Sequence, residues 1–272
     1  MDWLERPRPW DRLVTISVAA DLLSPGRFEM SAGTREPTRE EAHGRFHYED
    51  GARVPGEPWR PLTEAELDLL ITHVPPQDYG LTVALVRLPG ATAAERENVR
   101  LGDVDSIERH IFAPLLDICD IGEPITLIGA HSNSSGCLTT TIEPTTGAGI
   151  GLHIDSWERS PATNRTEALN RISVNIGEAE RFFLFLPVSL AEIERLPKAD
   201  LDADMISAED VTGLARLFMK RFPWLPVVRC RLSPYEAYIA PTENLVHDGS
   251  SLGQTATDDH YTILGRITLL SL

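Results

Sequence analysis

The chain has 272 residues, with 25 Lys+Arg against 41 Asp+Glu and a net charge of −16. That balance argues against a nucleic-acid binder working by phosphate neutralisation, which needs a basic face. Hydrophobic residues make up 42% of the chain, and a protein this long buries roughly 70–75% of its unfolded surface, so neither disorder nor a disulfide scaffold describes it.

Length alone allows one or two domains, and a β-sandwich or barrel of this size folds as one unit. Lys198 and Lys220 are the only lysines, which leaves lysine-anchored chemistry two candidates. Cys119, Cys137 and Cys230 are odd in number and far apart, the pattern of a reduced, cytoplasmic protein with thiols as core fillers. The N-terminal residues carry no apolar signal segment. The longest apolar stretch, around Phe182–Ala191, contains Pro187 and is about half the ~20 residues of a membrane helix. The expected partner is a small molecule, with no nucleic acid and no membrane.

In chain order, residues 1–60 are polar and proline-punctuated. Only Leu13–Leu23 reads as an ordered element there, and segment 24–60 is a candidate active-site lid. Thr63 caps a helix, Glu66 completes a capping box, and Leu67, Leu70 and Ile71 form its buried stripe. Leu81–Leu88 reads as a strand. Asp105–Cys119 reads as a second helix, with Ile107, Ile111, Leu115 and Ile118 at helical spacing.

From Pro124 short β-rich runs follow one another: Ile125–Gly129, Cys137–Glu143, Gly149–Asp155, Arg171–Ile176, Arg181–Pro187, Val227–Leu232, Glu236–Ala240, Asn244–His247 and Tyr261–Leu270. Two helices interrupt them, Leu190–Leu196 and Ala208–Phe222, the latter capped by Ser207. The pattern predicts an α+β, mainly β chain: a sandwich or jelly-roll barrel over 124–272, with a helical insert about 190–222. Residues 1–123 supply an N-terminal arm and bracing helices, all within one domain.

His153-Ile154-Asp155 carries the chemistry. On a strand, residues two apart face one way, so imidazole and carboxylate converge on one metal while Leu152 and Ile154 enter the core. His-x-acid alone is weak: eight histidines, with 41 acids in 272 residues, give about one match by accident, and there are two. The second, His47-Tyr48-Glu49, lies in the polar N-terminal region and reads as solvated or supporting, whereas His153 lies in an apolar strand after a glycine-rich turn. His247, at the end of a later strand, is a third ligand. Two histidines and one carboxylate on one face leave open positions for a bidentate co-substrate and O2. Arg266, in an otherwise apolar terminal strand, needs a buried anion or an escape to solvent, and its guanidinium fork suits a carboxylate.

The order of glycine-rich turn, His153-x-Asp155 strand, distal His247 and Arg266 on the last strand resembles the Fe(II)/2-oxoglutarate-dependent oxygenases over roughly residues 124–272. The resemblance implies a double-stranded β-helix (cupin-like jelly roll), with Fe(II) on His153, Asp155 and His247 and Arg266 on the distal carboxylate of 2-oxoglutarate. It also implies O2 as oxidant, decarboxylation of 2-oxoglutarate to succinate and CO2, and hydroxylation or desaturation of a small molecule such as an amino acid or secondary-metabolite intermediate. Arg266 follows His247 at a longer interval than usual in that family, and a loop inserted over Asp248–Asp259 accounts for it. The carboxylate at Asp155 disfavours halogenation, since the halogenating members carry a small residue there.

Thr141 and Asn175 are candidate co-substrate contacts. Arg171, Trp157 and Glu143 are candidate substrate contacts, although alternating polar residues also occur on any half-exposed strand. Two other readings stand beside the oxygenase: a cupin-type isomerase, lyase or dioxygenase that does not use 2-oxoglutarate, and a non-enzymatic jelly-roll binding protein. No G-x-S-x-G elbow accompanies the serines near His131.

Overall fold

The computed structural model describes residues 3–43, 47–157, 162–201, 207 and 210–271. The chain is mixed α/β and mainly β. A seven-stranded sheet runs in the order β6 (Ile71–Thr72), β1 (Thr15–Val18), β7 (Thr82–Arg87), β12 (Glu236–Ala240), β9 (Asn170–Asn175), β14 (Asp258–Leu269), β8 (Cys119–Asn133). A five-stranded sheet runs β13 (Leu245–Ser250), β10 (Arg181–Ser189), β11 (Val228–Leu232), β2 (Phe28–Met30), β5 (Arg60–Pro61), and β3 (Thr34–Arg35) pairs with β4 (Val54–Pro55). All pairings are antiparallel except those of β1 with β6 and β7. The sheets remain separate and do not join into a closed barrel.

Alternation along the strands divides the interior into two cores, as a period of two requires. Val83 and Leu85 of β7 and Tyr238 of β12 pack with Ile16, with Phe183 and Phe185 of β10, and with Phe218 and Met219 of the helix Val211–Arg221. Their neighbours Ala84, Val86, Ala237 and Ile239 enter a second core with Ile172, Val174, Tyr261 and Ile263, under Val99, Ile111 and Leu115. Each fully buried aliphatic side chain contributes about 1.5–3 kcal/mol. The seven-stranded sheet is therefore covered on one face by helices and on the other by the five-stranded sheet. The inward partners of Ile172, Val174 and Ile263 are polar: Arg171, Ser173, Asn175 and Thr262. This polar face lies inside the protein rather than against solvent, and it leads to the candidate site.

Several expectations hold. Thr63 closes a capping box with Glu66 at the head of Glu64–Leu70. The second helix runs as Val104–Ile107, a π-helical segment Glu108–Phe112 and Ala113–Ile118. A short helix follows at Leu190–Glu194.

Others need correction. The region before Pro124 is more than a brace, because β1, β6 and β7 belong to one sheet and β2 and β5 to the other. For the same reason the two ends of segment 24–60 are fixed in the fold and not free as a lid would be: Met30 is fully buried and pairs with Val228 and Arg60, and buried Arg27 forms an ion pair with Glu236. The runs 137–143 and 149–155 make isolated bridges rather than ladders. The loop expected over Asp248–Asp259 is shorter, since β13 continues to Ser250 and β14 begins at Asp258. The last long helix begins at Val211, where the Asp210 side chain accepts from Gly213 N; the expected start at Ala208 lies outside the described residues.

Candidate metal centre

Among the described residues, His153, Asp155 and His247 form the one group of three potential ligands whose donor atoms all lie within 4.8 Å of one another, and all three are buried. The backbone explains the convergence. His153 N donates to His247 O (3.0 Å) and His247 N to His153 O (2.8 Å), so the two residues are a directly opposed antiparallel pair with side chains on one face. Their ring centroids are 4.8 Å apart. Asp155, two residues on, faces the same way, and its backbone is tied by Asp155 N to Thr242 O (3.1 Å) and by the Arg165 guanidinium to its carbonyl (2.9 Å).

Each imidazole is oriented by a carbonyl two residues earlier. His153 Nδ1 lies 2.9 Å from Gly151 O, and His247 Nδ1 lies 2.9 Å from Leu245 O. A carbonyl only accepts, so Nδ1 carries a proton, and in the neutral ring Nε2 presents its lone pair. Those Nε2 atoms lie 3.5 Å (His153) and 3.6 Å (His247) from the oxygens of Asp155. His247 Nε2 is buried with no hydrogen-bond partner; Asp155 Oδ2 has none either, although Arg171 stands 3.2 Å away. Buried polar atoms are normally satisfied, and two histidines and a carboxylate, with one imidazole nitrogen and one carboxylate oxygen left unpartnered, are the donor set of a divalent transition metal. The residues present therefore suit such an ion.

Gly151 is required where it stands. Its φ is +74°, and a Cβ there would lie 2.5 Å from Arg53 O. The carbonyl that aims His153 thus belongs to a turn only glycine can make.

Electrostatics follow from this packing. Burial works against the His153 imidazolium, but Asp155 and Asp248 flank it and outweigh that cost, raising it to about 10. Burial also disfavours the His247 imidazolium; His153 and Arg171 add to that, Asp155 opposes, and it falls to about 4. Burial opposes the Asp155 carboxylate, yet Arg171, His247 and His153 together hold its pKa well below the usual value. A cation bound at the Nε2 face would take the place of the His153 proton.

The remaining expected site residues divide. Arg171 reaches the centre through Asp155, and its guanidinium lies 5.5 Å from the ring of Trp157, which is 49% exposed at the edge of the site. Thr141 touches the centre indirectly: its hydroxyl donates to Asp248 Oδ1 (2.9 Å), and Asp248 Oδ2 lies 3.7 Å from His153 Nδ1. Asn175 is committed elsewhere, donating to the carbonyls of Ala179 and Leu232 while accepting from Gly177 N. Glu143 caps its own turn at Thr145 and Thr146. Arg266 is exposed and donates to Glu167 O (3.1 Å). It lies past Gly265, the last residue of β14 that pairs with β9, so it projects beyond the layered interior. His47 is exposed and Glu49 pairs with Arg216 (2.6 Å), which keeps both out of the centre.

Two functional candidates went unread in the sequence. Asp248, next to ligand His247, is fully buried. Arg181 is buried on the face of β10 that carries Phe183 and Phe185, the latter opposite His247. Arg181 NH1 donates to Ser173 Oγ (2.7 Å), and Nε lies 2.7 Å from Asp258 Oδ1. Asp258, expected to lie in the inserted loop, accepts from Asn133 (3.1 Å) and stands 3.6 Å from His260 Nδ1.

No protein-family model, no curated protein and no solved structure matches the chain.

Proposed function

We propose that this chain is a non-haem Fe(II)/2-oxoglutarate-dependent oxygenase acting on a small molecule by hydroxylation or desaturation. The observation that carries the reading is the buried His153–Asp155–His247 group, with both Nδ1 atoms spent on carbonyls and its Nε2 and carboxylate atoms turned toward one another. The strand order supports a jelly-roll interpretation: from β8 onward, chain segments pass to and fro between the sheets. β8, β9, β12 and β14 lie in one sheet, and β10, β11 and β13 lie in the other, which is joined at His247 by the segment carrying His153.

Fe(II) held by His153, Asp155 and His247 would supply O2 activation coupled to decarboxylation of the keto acid. The protein's own part is positioning. Gly151 and Leu245 fix the two rings, and Arg171 holds the Asp155 carboxylate ionised. Arg181 takes over the carboxylate-anchoring role first given to Arg266. It lies four residues, about 13 Å of strand, from the position opposite His247, on the inward face, with a guanidinium suited to a distal carboxylate. Arg171 and Trp157, at the edge of the centre, are the proposed substrate contacts.

One observation favours a second reading, a cupin-type metalloenzyme (isomerase, lyase or dioxygenase) that does not use 2-oxoglutarate. The Arg181 charge is already matched by buried Asp258 at 2.7 Å, which lessens its pull on a dicarboxylate. An anaerobic difference spectrum separates the two. A weak visible charge-transfer band requiring both Fe(II) and 2-oxoglutarate is expected, and iron binding without that band would transfer the lead to the second reading.

A further inference from the structure

We infer that Asp248 is a positioning residue for the metal centre: the residue following one ligand, His247, orients the other, His153. The inference rests on the proposal that the triad holds a metal ion. Asp248 is fully buried, and its two oxygens are used unequally. Oδ1 faces five donors: Gly249 N (2.7 Å), Thr141 Oγ1 (2.9 Å), Thr141 N (3.1 Å), Thr140 N (3.2 Å) and Thr140 Oγ1 (3.4 Å). Oδ2 has no hydrogen-bond partner and lies 3.7 Å from His153 Nδ1.

That asymmetry is more than segment 139–141 needs for attachment to β13. One acceptor oxygen would satisfy those donors, and an amide would supply it without burying a charge. A carboxylate does something an amide cannot. Its second oxygen places negative charge beside the Nδ1–H that Gly151 O already accepts. It thereby disfavours the tautomer with hydrogen on Nε2 and strengthens Nε2 as a donor to a cation, the effect of an acidic partner behind a metal-bound imidazole. The five donors lock the carboxylate so that this charge cannot turn away. Because Asp248 and His247 are adjacent on β13, the same strand delivers one ligand directly and governs the other through space.

The test is anaerobic titration of the full chain with Co(II), whose visible spectrum reports ligand geometry, alongside thermal melts without metal. Asp248→Asn keeps the acceptor for the threonine donors but turns an N–H toward His153 Nδ1. It is expected to weaken Co(II) affinity about 10- to 100-fold and alter the visible band, with little change in the melting temperature. Thr141→Val, which keeps the carboxylate but removes its closest side-chain donor, is expected to weaken affinity in the same direction by less. It also serves if Asp248→Asn fails to fold. Unchanged affinity and band in either folded variant would overturn the inference, leaving Asp248 as an attachment point for segment 139–141. Failure of the wild type to bind Co(II) would instead remove the triad reading beneath it.

Discussion

His153 and His247 each spend Nδ1 on the carbonyl two residues upstream, so each Nε2 is aimed before any ion arrives. Such preorganisation is specific to single atoms. Gly151→Ala would force a Cβ to 2.5 Å from Arg53 O at a φ of +74°, displacing the carbonyl that aims His153; metal affinity measured by titration should fall even where circular dichroism shows a folded chain. Anchoring should divide sharply between two arginines. Arg181→Met is expected to raise the apparent KM for 2-oxoglutarate at least tenfold, and Arg266→Ala to leave it unchanged, as read from 2-oxoglutarate consumption. A separate residue governs acid stability. Burial opposes ionisation of Glu66, but Arg60, Thr63 and Trp3 all donate to it and hold its pKa down at about 2. A depressed folded pKa stabilises above the unfolded value near 4.5 and is lost as pH falls toward 2. In denaturant titrations, wild type should exceed Glu66→Gln at pH 6, and the gap should close between pH 4.5 and 2.

At the scale of elements, local chemistry was legible and pairing was not. The Thr63 capping box could be read because both partners lie within one turn, and Thr63→Ala should cost about 1 kcal/mol in a thermal melt. The His153-x-Asp155 pair was legible because a strand's period of two fixes its face, and His247 because it closes an apolar strand. Arg181 was not, since its inward direction depends on the register that sets Phe185 opposite His247, which no local pattern reveals. Asp248 was hidden by the glycines and serines after it, which imitate a loop. Arg266 misled for the opposite reason: its strand was read correctly, but β14 runs past β9 after Gly265 and keeps only β8 beside it, and there the Arg266 side chain is exposed. The polar N-terminal segment looked like a lid, yet β2 is part of a sheet. Met30→Ala, at a fully buried site, should cost about 2–5 kcal/mol, readable as a lower denaturation midpoint rather than as a change in turnover alone.

Across the whole molecule, the two sheets enclose an apolar core and, beside it, the buried polar side chains of Ser173, Asn175 and Thr262. The succession of short β-rich runs after Pro124 foresaw the mainly β character. The weaving of residues before Pro124 into both sheets was not foreseen, because short strands such as β2, β5 and β6 carry too few residues for a periodic signal. Among the described residues no helix is long and apolar enough to cross a membrane. The fold brings His153, Asp155 and His247 within reach of one ion, and the decisive experiment is equilibrium Fe(II) titration under anaerobic conditions. One ion per chain should bind, with affinity reduced at least a hundredfold in His247→Ala and in Asp155→Ala while both variants remain folded. Absence of stoichiometric binding, or binding indifferent to both substitutions, would mean that these three residues do not form a metal centre.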